Sequence, residues 1–497
     1  MYKDLKNLFK SSLLYSLSGF MAKIMGLILV PFYTNEVYLS KSEYGVMGLV
    51  ESIIAIAPTI LILGINWGFS RFYWDADYKG RQKELLFNNL FVVLIAASIS
   101  LSVVLFFREP LSVFLFTSID YTRLLVMITV ISFFITTNGV ITELLKLRGE
   151  ALKLTGVNLV YFTVLISLVL YKVVYQKMGL YGVYEAQLYT LILQSIIYLP
   201  ILFKNVKVKI DMSIIRDLVV YSLPMAISSL SSIIFSLADK YTLRFMSDLP
   251  EVGYYSLGFR LSNTFKIIIS ASVLSALVPI LYKKMKTEEG YELHNRSFRY
   301  LSIIGACLAI AFILLRKEIV GLFVSNDAYL VAAVVVPFIV TGIYIALLKD
   351  IVVVGLKIEK KTLFIGTITV LLSLVNVVLN ILFVKIFIYF NMTAILGTAL
   401  ATLVSQAIYL FVVYKFSRKC YPVRYRLKTL FTCILILVVF IFMGEIGNNM
   451  SAFLAFIYRS VLVCAFPFAL YLLGILGKTD VDNILSMFKD FKNRVKK

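Results

Sequence analysis

The chain is 497 residues long, 60% hydrophobic and only 15% charged, with a mean hydropathy of +0.90. Soluble domains carry about a quarter charged residues, so a water-soluble globular enzyme is excluded and an integral membrane protein is expected. The net charge of +21 would suggest nucleic acid in a soluble protein. Among apolar spans the placement of the cations matters more than their sum, and no nucleic-acid partner is expected.

A bilayer span needs about 20 mostly apolar residues. Such runs follow one another from Ser11 to beyond Val461 with only short polar breaks. The first run lacks a small-residue cleavage site and more spans follow at once, so it is expected to stay in the membrane rather than be removed as a signal peptide. In chain order the predicted spans are 11–33, 45–66, 85–107, 122–145, 154–174, 183–203, 217–238, 252–280, 300–315, 329–348, 362–384, 393–414, 429–443 and 454–475. The expected fold is an all-α membrane protein of about fourteen transmembrane helices. A short apolar stretch at Val113–Phe116 is the weakest point of that count.

With the amino terminus inside, the cytoplasmic segments hold 35 of the 49 lysines and arginines, the outer segments 11, and three are embedded. The outer group includes Lys41, Arg108, Arg123, Lys172, Lys240, Arg244, Arg316 and Arg459. The positive-inside rule then puts both termini in the cytoplasm, and the cytoplasmic (inner) membrane is the expected location.

"YSLSGF" at Tyr15 recurs as "YSLPMA" at Tyr221, and "SEYGVMGL" at Ser42 recurs as "PEVGYYSL" at Pro250, nearly in register. Six helices separate the copies, so both halves enter the membrane in the same sense. A parallel repeat of this kind predicts two six-helix lobes, 1–210 and 211–420, with residues 421–497 adding two helices and a basic cytoplasmic tail. Transporters built from such repeats hold substrate between the halves near the midplane.

The embedded cations are Lys23 on span 1 and Arg260 and Lys266 on span 8. Each costs roughly 2.5 to 3.5 kcal/mol at a span centre, which calls for a wet cavity or a partner. Arg260 and Lys266 share a stripe with Ser256, Asn263 and Ser270 at helical spacing. Snorkelling, or an internal ion pair with Glu51 or Asp239, is the competing reading. Further stripes run along span 6 (Gln187, Gln194, Tyr198), span 7 (Ser222, Ser229, Ser232, Ser236), span 11 (Ser373, Asn376, Asn380) and span 12 (Thr398, Thr402, Ser405). Alone, each is commonly helix-packing glue. Together they describe an interior of hydroxyls and amides suited to sugars, with cations suited to phosphate. Lys23, Arg260, Asn263, Lys266, Asn376 and Asn380 are the candidate substrate contacts. Glu51, Glu143, Glu185 and Asp239 are the acids nearest the interior and the candidates for coupling ions or ion pairs.

Other features carry less. The four cysteines lack metal or redox spacing, so no disulfide, metal or other cofactor is expected. "GILGKT" at Gly474 lacks the first glycine of a phosphate loop and closes a span. "NMT" at Asn391 is a formal glycosylation sequon in a short loop. His294, the only histidine, falls in a predicted cytoplasmic loop, where a solvated surface role is expected.

The chain resembles the polysaccharide-transporter, or Wzx-type flippase, family of the multidrug/oligosaccharidyl-lipid/polysaccharide exporter superfamily. The resemblance lies in "LVPFYTNEVYLSKSEYGVMGLVES", "LILGINWGFSRFYWD" and "VVYSLPMAISSLSSIIFSLADKYTLRFMSDLPEVGYYSLGFRL". It implies two six-helix lobes with alternating access and an undecaprenyl-pyrophosphate-linked oligosaccharide as cargo, moved between leaflets for O-antigen, capsule or exopolysaccharide synthesis. It also implies a cationic cavity, placed here on Lys23, Arg260 and Lys266, and partners among membrane lipids and the polysaccharide polymerase and chain-length machinery. Lipid II flippases and drug exporters share that fold and are the alternatives. A membrane-embedded polymerase would need a larger extramembrane loop than any found here, so no enzyme is expected.

Overall fold

The computed structural model describes residues 26–62, 64–269, 277, 281–282, 287–359, 361–423 and 425–477. Most of the expected first span, with Lys23, and the basic tail lie outside the described residues. Every regular element among the described residues is helical, as lipid demands of a chain that must satisfy its own backbone hydrogen bonds. In chain order the helices are α1 Lys41–Ile62, α2 Ile65–Phe72, α3 Gln82–Phe106, α4 Arg108–Phe116, α5 Thr122–Leu147, α6 Ala151–Val169, α7 Gly179–Asn205 and α8 Met212–Met246. There follow α9 Leu249–Ile269, α10 Glu288–Leu314, α11 Arg316–Phe323, α12 Val336–Ile358, α13 Thr362–Tyr389, α14 Ala394–Cys420, α15 Leu427–Glu445 and α16 Ala452–Leu472.

Among the described residues ten helices are long and apolar enough to cross a membrane. They coincide with expected spans 3 to 6 and 9 to 14. Expected span 2 starts in α1 and runs past its end at Ile62 into α2, span 7 falls within α8, and span 8 begins in α9. The stretch at Val113–Phe116 belongs to the nine-residue α4, roughly 14 Å long and far too short to cross.

The described residues pack as two units. One comprises the described parts of 1–257, 323–329 and 366–398, and the other those of 258–322, 330–365 and 399–497. In the first, α5 is central and packs on α1, α3 and α7, while α8 lies against α1 and α2. Phe69, Leu85, Leu86, Leu144 and Leu218 form a shared apolar core there. Only 17% of the most apolar stretch of α3 and 11% of that of α6 is buried, so these two helices turn leucine- and valine-rich flanks outward. In the second unit α10 packs on α12, α15 and α16, and α12 is apolar around most of its circumference, with 83% of its most apolar stretch buried.

The crossing of α1 and α9 in the first unit is made by small residues. A Cβ on Gly45 would lie 1.9 Å from the Leu249 carbonyl oxygen, and one on Gly48 would lie 2.2 Å from Ser256 Oγ. A Cβ on Gly253 would meet the Gly45 nitrogen at 3.2 Å. In the repeat, Gly45 aligns with Gly253 and Gly48 with Ser256. Residues equivalent in the two copies therefore touch each other.

The extended segment 206–211 after α7 is stitched to the start of α3. Lys207 N–H donates to the Lys83 carbonyl at 3.2 Å. The buried Asn88 side chain donates to the Lys209 carbonyl and accepts from Asp211 N–H, both at 2.9 Å. Glu84 and Asp211 pair with Lys207 and Arg81 at 2.7 and 2.6 Å. Hydrogen bonds from Ser213, together with Arg81, hold the Asp211 carboxyl down at about 2, so this fastening persists at any physiological pH.

In the second unit α15 and α16 are tied to α11 by ions. Arg316 pairs with Glu445 and Arg459 with Glu318, and both arginines are buried. Asn448 accepts from Arg459 at 2.7 Å and from Lys317 at 2.9 Å. The chain leaves α16 through Gly474, whose φ of 68° accompanies Ile475 N–H donating to the Leu470 carbonyl and Gly474 N–H to that of Tyr471. This is a Schellman helix stop, which is the structural use of the glycine in "GILGKT".

Two expectations are corrected. Lys240 and Arg244, expected in an outer loop, lie inside α8 and are buried. Lys240 Nζ donates to the Gly48 carbonyl at 3.0 Å. Arg244 caps the carboxyl end of α4, with Nε 3.1 Å from the Leu115 carbonyl and Nη2 3.4 Å from those of Val113 and Phe114, a favourable place for a cation. His294, expected on a solvated loop, is fully buried in α10. Thr287 caps that helix by accepting from Gly290 N–H at 3.0 Å, and so starts it twelve residues before the hydropathy rises. The imidazole lies edge-on to Tyr421, ring centroids 5.1 Å apart.

Candidate functional site

The candidate residues fall into two groups. The first forms in the first unit around Asp239 of α8, which is 2% exposed. Tyr255 of α9 donates its hydroxyl to one carboxylate oxygen at 2.5 Å. Asn380 of α13 donates its amide to the other at 3.0 Å. The same amide reaches the Asn376 carbonyl at 2.9 Å and the Asn376 side-chain oxygen at 3.2 Å. Four residues of spacing put Asn376 and Asn380 one above the other on α13, and both are fully buried. The Asn380 side-chain oxygen is buried with no hydrogen-bond partner among the described residues.

A buried carboxylate costs several kcal/mol unless it is well solvated by protein groups. Here a phenol and an amide supply that solvation, and three side-chain oxygens converge. Such a cluster can take up a proton on Asp239 or hold a small monovalent cation. Among the described residues no group of three or more His, Cys, Asp and Glu side chains gathers as a metal site would require.

The other acids are placed differently. Glu143 accepts from Ser70 at 2.8 Å and pairs with Lys146 at 3.2 Å. Glu185 is held by Lys172 at 2.9 Å and Arg123 at 3.1 Å. Both are thus fixed in ion pairs, whereas Glu51 is a half-buried residue of α1.

The second group lies on α9. Arg260 and Asn263 are half-buried and Lys266 is exposed, as their common helical stripe predicts. Ser256, expected on that stripe, is instead buried against Gly48, and Ser270 and Lys23 lie outside the described residues. Asn376 and Asn380, expected beside the cations as substrate contacts, are found around Asp239. Tyr255 was missed by sequence reasoning. It occupies a repeat motif, but nothing in a tyrosine's spacing announces a carboxylate sixteen residues away.

The family described as polysaccharide biosynthesis protein matches residues 8–285. Among solved structures, a lipid II flippase MurJ in an inward closed conformation superposes with a TM-score of 0.72 at 14% identity, covering 92% of this chain and 99% of that one. An inward-facing multidrug resistance MATE family transporter of the MOP superfamily gives 0.62 at 15% identity, over 80% and 94% of the two chains. A MOP superfamily transporter from Pyrococcus furiosus gives 0.56 at 15% identity, over 83% and 95%. No curated protein matches the sequence. At these identities the structural likeness establishes the fold, which is that of MOP-superfamily transporters.

Proposed function

The chain belongs to the polysaccharide biosynthesis protein family, and on that premise we propose that it is a flippase for a lipid-linked oligosaccharide. The cargo is a polyprenyl-pyrophosphate-linked repeat unit, carried from the inner to the outer leaflet of the cytoplasmic membrane by alternating access of two six-helix lobes, 1–210 and 211–420. The observation that carries this reading is the placement of Arg260, Asn263 and Lys266 on one face of α9, in the expected eighth span, where cations and amides suit a sugar pyrophosphate. Lys23 completes the cationic set. The reaction breaks no covalent bond, so the work of these residues is to bind and release.

Movement of a charged head group needs a driving gradient, and the Asp239–Asn380–Asn376–Tyr255 cluster is the coupling element in this reading. Asp239 is supported for this role by its buried surround of a phenol and two amide side chains.

Cells lacking the protein should accumulate the lipid-linked oligosaccharide in a form that lectin reaches only after the membrane is opened. Lectin access in intact spheroplasts would refute the reading, and accumulation of lipid II would transfer it to that cargo. The topology proposed with it has about fourteen spans and, from the cation distribution, both termini inside. In a cysteine-free background, a cysteine replacing Lys209 should resist an impermeant thiol reagent in intact cells while one replacing Asp248 reacts. Equal labelling would overturn the orientation.

A further inference from the structure

At the end of the first unit where α3 finishes and α5 begins there is a cavity of about 540 Å³. Its rim carries Arg108, the first residue of α4, and Arg123 on the first turn of α5, and its wall is Leu105, Val126, Val130 and Leu188. No acid lines it. Arg123 lies over the Tyr181 ring at 5.6 Å. Its side chain is 76% exposed although it pairs with Glu185, whose second carboxylate oxygen Lys172 holds at 2.9 Å. Glu185 is thus shared between two cations, and the rim stays positive.

The surroundings place this cavity at the level where hydrocarbon meets headgroups. Phe106 and Phe107 at the end of α3 are 84% and 51% exposed. Tyr171 and Tyr175, stacked at 5.5 Å at the end of α6, are also exposed. Outward aromatic rings at the ends of spans mark the membrane interface. The apolar wall continues onto the outward flank of α3, one of the least buried membrane helices.

We propose that this cavity binds an anionic glycerophospholipid, its phosphate between Arg108 and Arg123 and its acyl chains along Leu105, Val126, Val130 and Leu188. Arginine forks match phosphate oxygens, and the interface is where a lipid phosphate resides. The volume, about eighteen waters' worth, takes a glycerol phosphate head and the first methylenes but no oligosaccharide with them. The single charge of a phosphodiester suits a rim whose second arginine is partly neutralised by Glu185. In the proposed orientation this is a lipid of the outer leaflet. The inference stands whatever the transported cargo is.

The test is native mass spectrometry of the purified full-length protein with dioleoyl phosphatidylglycerol, dioleoyl phosphatidylcholine or farnesyl diphosphate. Because a basic protein collects anionic lipid at many points, the reading is the difference between wild type and variants. Arg108→Gln should weaken the tightest phosphatidylglycerol site about tenfold, the loss of one charged hydrogen bond, and Arg108→Lys should restore part of it. Leu188→Trp should abolish the site by filling the wall with the rim charges intact. Phosphatidylcholine, whose choline cation offsets its phosphate, should bind wild type more weakly than phosphatidylglycerol and lose less on Arg108→Gln. Phosphatidylglycerol binding unchanged in both Arg108→Gln and Leu188→Trp would overturn the proposal. So would tighter, Arg108-dependent binding of farnesyl diphosphate, which would assign the site to a prenyl pyrophosphate.

Discussion

Replacing Lys23, Arg260 and Lys266 together with alanine abolishes export of the lipid-linked oligosaccharide while the protein still reaches the membrane. Hydrogen bonds to charged groups contribute roughly 1.5 to 3 kcal/mol each, and they strengthen where water is excluded. Loss of three such bonds to one pyrophosphate therefore exceeds a thousandfold in affinity. Lysine at 260, or arginine at 23 and 266, retains part of the flux because the compact anion is held by charge more than by shape. Normal flux in the triple variant would show that the cations are structural. In the same assay Asp239→Asn keeps the volume and the hydrogen-bonding side chain but removes the titratable charge. Gradient-driven export should fall at least tenfold, and export that persists at the wild-type rate under the gradient would remove Asp239 from the coupling role.

Gly45→Val prevents stable accumulation of the folded protein. The added Cβ would sit 1.9 Å from the Leu249 carbonyl oxygen, and that oxygen is backbone, unable to swing aside as a side-chain tip can. The two helices must separate by more than 1 Å along their closest line, which also opens the Gly48–Ser256 contact one turn away. Overpacking typically costs 1 to 3 kcal/mol, and with a backbone obstacle the upper end of about 3 kcal/mol is expected. Gly156→Val on α6 is the control, since a Cβ there meets nothing within 4 Å. The measurement is the thermal unfolding midpoint in detergent alongside membrane yield. A Gly45→Val protein that melts with the Gly156→Val protein would disprove the close crossing.

Hydropathy located the membrane helices because burial in lipid is a property of long apolar runs, and α3, α5, α6, α7, α10 and α12 to α16 were legible for that reason. It failed at helix ends. Transfer energies count Lys240 and Arg244 as costs wherever they stand, and cannot register that α1 and α4 offer main-chain carbonyls to these two cations of α8. They equally mistake the polar first half of α10 for a loop, where the Thr287 side chain caps a helix by accepting from Gly290 N–H. His294 was misplaced with that half-helix. The helical spacing of Asn376 and Asn380 did predict that they share a face, and Asn380 bonds to Asn376. What spacing could not supply was the third element. Asp239 and Tyr255 arrive from α8 and α9 by tertiary packing, so the coupling cluster was legible as a list of polar residues and not as a site.

The meeting of Gly45 with Gly253 and of Gly48 with Ser256 bears on how a duplicated chain drifts apart. Where equivalent positions do not touch, a change in one half leaves the corresponding position in the other free. Where equivalent positions touch, a larger residue in either copy collides with its counterpart, and both are confined to small side chains together. Such a pair of positions answers as one, and "SEYGVMGL" and "PEVGYYSL" are held to small residues at 45, 48, 253 and 256 by their own contact.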